Sequence, residues 1–342
     1  MELSRTLIEW QRLHGRHSLP WQGTRDPYRI WVSEIMLQQT QVGAVIPYYQ
    51  RFMARFPDVQ KLAAASEEEV LAHWAGLGYY ARGRNLHRAA RIVVAQHKGA
   101  FPTDFDAIQA LPGIGRSTAA AISAFAYGQS RAILDGNVKR VLTRVFGIVG
   151  WPGEKSVENQ LWQLAERLLP ASDIETYTQA LMDMGATVCT RSRPRCGECP
   201  LLSACIAHRE GRAGEIPAAR PKKVLPKRAV TLLLLRHGRD VLLEKRPSPG
   251  IWGGLWSLPE MQGTPELSCQ QLTGATYKHL RELPVFQHTF THFHLQIQPL
   301  EMIVPALPLV ANQPDRIWMD VEEAIRAAIP KPVKNILQAC VD

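Results

Sequence analysis

The sequence predicts a molecule in two parts, a mainly α first part and an α+β second part. Three observations carry this. Apolar residues recur at three- and four-residue spacing through the first two hundred positions, with Gly or Pro at the joints. Residues 207–228 then break the pattern, with Pro217, Pro221 and Pro226 among seven basic and two acidic residues. Beyond them, Val230 to Leu235 and the alternating run His292 to Gln298 have the texture of strands. At 342 residues, each part is long enough to bury its own core. The expected divisions are 1–206, a semi-extended basic linker at 207–228, and 229–342.

Helices are expected over Ser33 to Phe56, Ser66 to Trp74, Leu86 to His97, Ser117 to Tyr127, Val138 to Phe146 and Val157 to Leu168. In the second part, Val230 to Leu235 and Val241 to Leu243 flank His237-Gly238-Arg239-Asp240 as a hairpin. Asp320 to Ala328 reads as a helix.

A composition of 46% hydrophobic and 21% charged residues describes a globular chain and excludes a disordered one. No apolar run approaches a membrane span, and Met1-Glu2-Leu3-Ser4-Arg5 does not resemble a signal peptide. A soluble cytoplasmic protein with no membrane partner is expected. The formal charge of +9 is uneven: residues 1–228 hold 30 Lys and Arg against 20 Asp and Glu, residues 229–342 hold 10 against 11. Most polyanion contact is therefore expected in the first part.

Four of the six cysteines, Cys189, Cys196, Cys199 and Cys205, lie in one segment as C-x6-C-x2-C-x5-C. Thiolates so spaced can converge on one soft metal centre, an iron–sulfur cluster or zinc. Between the first two run Arg191, Arg193 and Arg195, cations on a loop that a metal would hold rigid, suited to phosphate.

Leu111-Pro112-Gly113-Ile114-Gly115-Arg116-Ser117-Thr118 leads into a helix of small residues. Gly113 and Gly115 permit a tight turn, and the helix start offers free N–H groups to a phosphate. A plain glycine-capped turn reads equally well. Asp135, in Leu134-Asp135-Gly136-Asn137, suits a helix N-cap or a carboxylate aimed at a substrate. Glu34 is the lone acid of the apolar run from Trp31 to Val42. Buried, it would be a general acid of raised pKa; exposed, an ordinary surface glutamate. Gln38, Gln39 and Thr40 follow it, with amides and a hydroxyl suited to base edges. Gly76-Leu77-Gly78-Tyr79-Tyr80-Ala81-Arg82 brings glycines, base-wedging tyrosines and phosphate-binding arginines together.

In order, these segments resemble the helix–hairpin–helix DNA glycosylases, specifically the adenine DNA glycosylases of the MutY type, over nearly the whole chain. The resemblance implies a helix–hairpin–helix glycosylase domain whose loop 189–205 binds one 4Fe–4S cluster, and a Nudix-like second domain. It implies base excision repair by a monomeric, nucleoid-associated enzyme that removes adenine opposite 8-oxoguanine or guanine in double-stranded DNA. Glu34 matches the acid that protonates the everted adenine, and Asp135 the carboxylate that stabilises the sugar cation. Asn137 and Gln179 match pocket-supporting positions. Ser117 stands where the endonuclease III-type lyases carry a lysine, which implies a monofunctional enzyme. An endonuclease III-like enzyme for oxidised pyrimidines is the alternative; it explains neither Ser117 nor the second domain. Gln39, Thr40 and Tyr79 match residues inserted around the lesion pair. Phe290-Thr291-His292 corresponds to the family's Phe-Ser-His loop for 8-oxoguanine, with Thr in place of Ser. No glutamate-rich Nudix helix follows Gly253-Gly254-Leu255-Trp256, so recognition without pyrophosphatase chemistry is expected.

Overall fold

The computed structural model describes residues 2–221, 224–247, 250–306 and 315–340. They form two compact units, residues 1–64 with 85–222 and residues 65–84 with 223–342.

Helices come first: α1 (Glu2–His14), α2 (Pro27–Leu37), α3 (Val42–Arg55), α4 (Val59–Ala64), α5 (Glu67–Trp74) and α6 (Ala81–Gln96). After them run α7 (Phe105–Ala110), α8 (Arg116–Tyr127), α9 (Gly136–Val145), α10 (Lys155–Arg167), α11 (Ile174–Asp183) and the short α12 (Ile206–Arg209). Capping explains many of the boundaries. Asp26 accepts from the Tyr28 N–H with Pro27 in the first turn, Ser66 caps α5, and Asp104 caps α7. Gly128 ends α8 in the left-handed region at φ 64°. One core of the first unit joins Leu7 of α1, Ala120 and Ala124 of α8, Val138 and Leu142 of α9, Leu161 of α10 and Leu181 of α11.

The single helix expected over Ser33 to Phe56 is instead two, α2 and α3, parted at Gln38 to Gln41. The cause is local. Gln39 sits at φ 58°, a left-handed value that no helix accommodates, and the Gln38 amide donates to Gly113 O and Thr118 Oγ1, each at 3.3 Å.

The second unit is a seven-stranded mixed sheet: β1 (Lys227–His237), β2 (Asp240–Lys245), β3 (Trp256–Ser257), β4 (His279–Glu282), β5 (Phe286–Thr289), β6 (His294–Ile303) and β7 (Arg316–Asp320). The path is β3-β2-β1-β6-β4, with β5 also on β6 and β7 on β2. β1 and β6 run parallel, Leu233 beside Leu300; the expected hairpin closes at His237 opposite Asp240. Helices α13 (Pro265–Thr273), α14 (Val321–Arg326) and α15 (Lys331–Gln338) complete the unit. Alternate residues of β1 feed two cores. Leu232 and Leu234 pack with Val333 and Ile336 of α15, while Leu233 and Leu235 pack with Cys269 of α13. Burial on both faces explains the unbroken apolar run.

Residues 65–84, expected in the first part, pack within the second unit. Leu71 is fully buried among Leu232, Leu255 and Trp256, and the Trp256 indole donates to Glu68 Oε1 at 2.6 Å. Residues 207–221 of the expected linker lie with the first unit. Ile216 is buried, its carbonyl accepts from Arg144 Nε at 2.7 Å, and Ala218 N–H donates to Gly150 O at 3.2 Å.

Candidate active site

Glu34 lies one turn from the end of α2, where α2 packs against α8. Its neighbours Ser33, Ile35 and Met36 are buried, so the helix holds it rigidly. The carboxyl borders a cavity of about 550 Å³, lined also by Trp21, Gln22, Arg25, Glu175 and Gln179. Through that cavity Glu34 keeps some surface, yet the protein around it strips most of the solvent away. Desolvation first, and the nearby charge of Asp135 second, push its pKa up to about 8. Among the described residues, no hydrogen bond engages its carboxyl. The buried-acid reading is the one the structure supports.

Asp135 caps α9, its Oδ1 accepting from Val138 N–H at 2.8 Å, while Asn137 Nδ2 donates to Oδ2 at 3.2 Å. Burial raises its pKa above the ordinary aspartate value, and the N–H groups of Val138 and Asn137, the Asn137 amide and the Arg140 guanidinium pull it only part of the way back. Asp135 is thus the helix cap, and its charge is close enough to act on Glu34. Ser117 Oγ accepts from Leu134 N–H at 3.0 Å, fixing the turn just before Asp135. Gln179 Nε2 donates to the fully buried Asp183 at 2.8 Å, and Asp183 also takes Arg16 through Nε at 2.7 Å and backbone N–H at 2.8 Å.

The hairpin joins α7 to α8. Gly113 stands at φ 84°, where a Cβ would lie 2.9 Å from Asn85 Cβ; before Gly115 there is open space. Gln39 is exposed, and Tyr79, half-exposed in the second unit, takes φ 51°. Two of the five left-handed non-glycine residues among those described are thus the ones expected to enter the duplex.

The four cysteines carry no disulfide and all border one enclosed, mostly apolar pocket with Val141, Val145, Leu201 and Leu202. Among the described residues, no three metal-binding side chains converge on one point. All four thiols border the same space, a soft sulfur donor set. Burial pushes the Cys199 thiol up to about 11.

Two residues that sequence reasoning missed hold this loop. Arg140 donates to Cys189 O at 2.7 Å, Gly185 O at 2.6 Å and Asn137 Oδ1 at 2.9 Å. Arg144, 2% exposed, donates to Thr190 O at 2.7 Å, Arg191 O at 3.1 Å and Cys189 Sγ at 3.3 Å. Their i, i+4 spacing on α9 was the available signal. Arg191 and Arg193 stay exposed, with no ion pair or hydrogen bond on their side chains among the described residues. Arg195 is instead committed to Thr187 O and Glu198.

In the second unit, Phe290 to Phe293 form the turn between β5 and β6, closed by Phe290 N–H donating to Phe293 O at 2.9 Å. Thr291 and His292 are exposed at its tip. Phe290 stacks on Phe293 at 4.6 Å and packs near Trp252 at 5.7 Å. The helix in the Nudix position, α13, holds one acid, Glu266, whose carboxylate accepts from Tyr277 at 2.5 Å.

Comparison with known proteins agrees with this geometry. Residues 32–167 match the HhH-GPD superfamily of base excision DNA repair proteins, and residues 230–339 match the NUDIX domain. An adenine DNA glycosylase of Buchnera aphidicola subsp. Baizongia pistaciae is 37% identical, covering 97% of this chain and 95% of its own. The human adenine DNA glycosylase is 34% identical over 97% of this chain and 73% of its own. Among solved structures, a thermostable thymine-DNA glycosylase is similar at 30% identity and a TM-score of 0.55, covering 61% of this chain and 96% of its own. An endonuclease III–DNA complex at 21% identity shares the fold, with a TM-score of 0.53 and coverage of 61% and 96%. With a helix–hairpin–helix unit, a Nudix-like unit and relatives above 30% identity along almost its whole length, the chain belongs to the adenine DNA glycosylase family.

Proposed function

We propose that this protein is a monofunctional base-excision glycosylase that removes adenine mispaired with 8-oxoguanine or guanine from duplex DNA. The observation that carries the reading is Glu34: a carboxyl at the wall of a cavity, with a pKa of about 8, within electrostatic reach of Asp135, the cap of α9. Such an acid holds its proton at neutral pH and can pass it to an everted purine, making the base a neutral leaving group. Asp135 has N–H donors and a cationic neighbour where Glu34 has neither, so it is the carboxylate suited to be the anion facing the sugar cation. Ser117 is spoken for by the Leu134 N–H, and its hydroxyl forms no Schiff base, which supports the monofunctional reading.

Cys189, Cys196, Cys199 and Cys205 would hold a 4Fe–4S cluster, and that cross-link would set Arg191 and Arg193 toward the DNA backbone. Gln38, Gln39, Thr40, Tyr79 and the Gly113–Gly115 hairpin serve the duplex, and Phe290, Thr291 and His292 serve the opposite base. Among the described residues, no helix is long and apolar enough to cross a membrane.

The test is single-turnover excision on duplexes carrying adenine opposite 8-oxoguanine, guanine or thymine, beside thymine glycol opposite adenine. Adenine release from the first two, with strand cleavage only after alkali, is expected. Preferential attack on thymine glycol would overturn the reading.

A further inference from the structure

The sheet face that packs on α13 does not stay apolar to its end. Its core runs from Leu235 and Met302 to Leu233 and Leu300 and stops there. Toward the 290–293 turn the same face continues through Thr231 and Gln298 and then two more rows. Ala229, Gln296 and Gln287 form one; Lys227, His294 and Thr289 form the other, side by side across β1, β6 and β5. These side chains share a face because neighbours in register, parallel or antiparallel, point the same way. Lys227, Thr289, Gln287 and Gln296 are exposed, and among the described residues β5 pairs only with β6.

His294 is not left to rotate. Its Nδ1 lies 3.1 Å from Gln287 Nε2 and 3.0 Å from Thr289 Oγ1. With the Gln287 amide nitrogen turned toward the ring, Nδ1 is the acceptor and Nε2 is the nitrogen left to donate. The imidazole Nε2 is thereby set as a hydrogen-bond donor, in the same row as Lys227. A fixed N–H beside a cation, on a polar strip ending at a turn of exposed Thr291 and His292, is chemistry for an oxyanion.

We propose that Lys227 and His294, with Thr289 and Gln287 fixing the imidazole, form a phosphodiester-binding row on the second unit. It grips the DNA backbone next to the base read by the 290–293 turn, and so holds that turn in register. This rests on the DNA glycosylase reading above. It also gives a role to a unit whose net charge offers no general attraction for DNA.

The experiment uses the full chain with Glu34→Gln, which holds the lesion duplex uncut, and measures Kd against salt concentration. Lys227→Met is expected to weaken binding and to lower the slope of log K against log salt by about 0.9, the value for one phosphate contact. His294→Ala should weaken binding about 3- to 10-fold on any duplex sequence, as a backbone contact does. His294→Gln, which puts an amide Nε2–H where the ring Nε2–H was, should recover most of that loss. Lys227 is exposed and His294 is half-buried, and unchanged melting temperatures verify the fold in all three variants. Unchanged Kd and slope in Lys227→Met and His294→Ala, with the parent binding normally, overturn the row. A parent that does not bind duplex DNA at all overturns the glycosylase reading and the row with it.

Discussion

Glu34 and the Thr291–His292 pair sit in opposite environments, one in each unit. Glu34 lies in a helix whose flanking side chains are buried, and its chemistry comes from the loss of water around it. Thr291 and His292 stand exposed at a turn tip, and the proposed reading of a base would need them to keep solvent until the base displaces it. Proton transfer from a carboxyl at neutral pH needs a displaced pKa, which at Glu34 comes chiefly from desolvation. Recognition of a base edge needs donors and acceptors that reach out from a rigid support. The aromatic stack of Phe290 on Phe293 provides that support without burying the tip.

The comparison breaks most easily at Glu34. Glu34→Gln keeps the shape and removes the transferable proton, so single-turnover excision should fall by about 10³-fold or more. Lesion binding should persist. Near-normal excision would remove Glu34 from the mechanism. The pH dependence follows from the same shift. The group is protonated below about 8 and loses its proton above, so log kcat/KM for the free enzyme should be flat to that point and then fall with slope −1. Stability carries the same sign. Between its ordinary value of 4.5 and about 8, Glu34 binds its proton in the folded state and has lost it in the unfolded one. Stability should therefore decline as pH rises through that window, and Glu34→Gln should flatten the decline. Equal pH slopes of Tm in parent and variant would contradict the burial argument.

Asp135→Asn is the next largest. It retains the cap oxygen for Val138 and removes the charge, so the rate should drop about 10²- to 10³-fold with little change in Tm. A large drop in Tm would recast Asp135 as chiefly a helix cap.

Much of this contrast was legible in the amino-acid order, because each motif carries its own local physics. The lone acid of an apolar helix, Asp-Gly-Asn at a helix start and the close-set cysteines are all short-range signals. What was hidden is tertiary. Nothing in Leu37-Gln38-Gln39-Thr40 announces a left-handed residue; the break at Gln39 is held by Gln38 reaching Gly113 and Thr118, some 75 to 80 positions away. Leu71 sits in an ordinary amphipathic helix, and only the fold shows that its partners are Leu232 and Leu255. Arg144 read as one more cation of a basic helix, yet it is buried and ties three separate carbonyls.

Arg144 accordingly supplies a structural prediction of intermediate size. Arg144→Ala strands the carbonyls of Thr190, Arg191 and Ile216, each a loss of about 1–3 kcal/mol when buried and unpaired. Partial relaxation brings the expected cost to about 2–5 kcal/mol, read as a lower Tm with reduced iron content in the purified protein. Removal of metal from the parent should likewise weaken DNA binding by freeing the loop of Arg191 and Arg193. Full iron loading and an unchanged Tm in Arg144→Ala would show that the cysteine loop is held by the metal alone.

The smallest effect belongs to the exposed tip, and it is the most discriminating. Removing residues 229–342 outright is a poor test, because it strips Leu71 and Glu68 of their partners and confounds recognition with folding. Point changes avoid this. His292 packs edge-on against Phe293 at 4.7 Å, with Phe290 at 6.1 Å and Thr291 Oγ1 3.4 Å from its Nδ1, yet it stays exposed, so His292→Ala leaves no cavity and should move Tm little. Thr291→Val removes the hydroxyl with its shape kept; Thr291→Ser restores it without the methyl. One base-edge hydrogen bond is worth about 1–3 kcal/mol of discrimination. The ratio of excision opposite 8-oxoguanine to excision opposite guanine should thus fall about tenfold in Thr291→Val and His292→Ala, and recover in Thr291→Ser. Equal losses on both duplexes would place detection of the oxidised base outside this turn. Because the catalytic acid lies in the other unit and is untouched, a changed ratio with excision retained separates reading the lesion from breaking the bond.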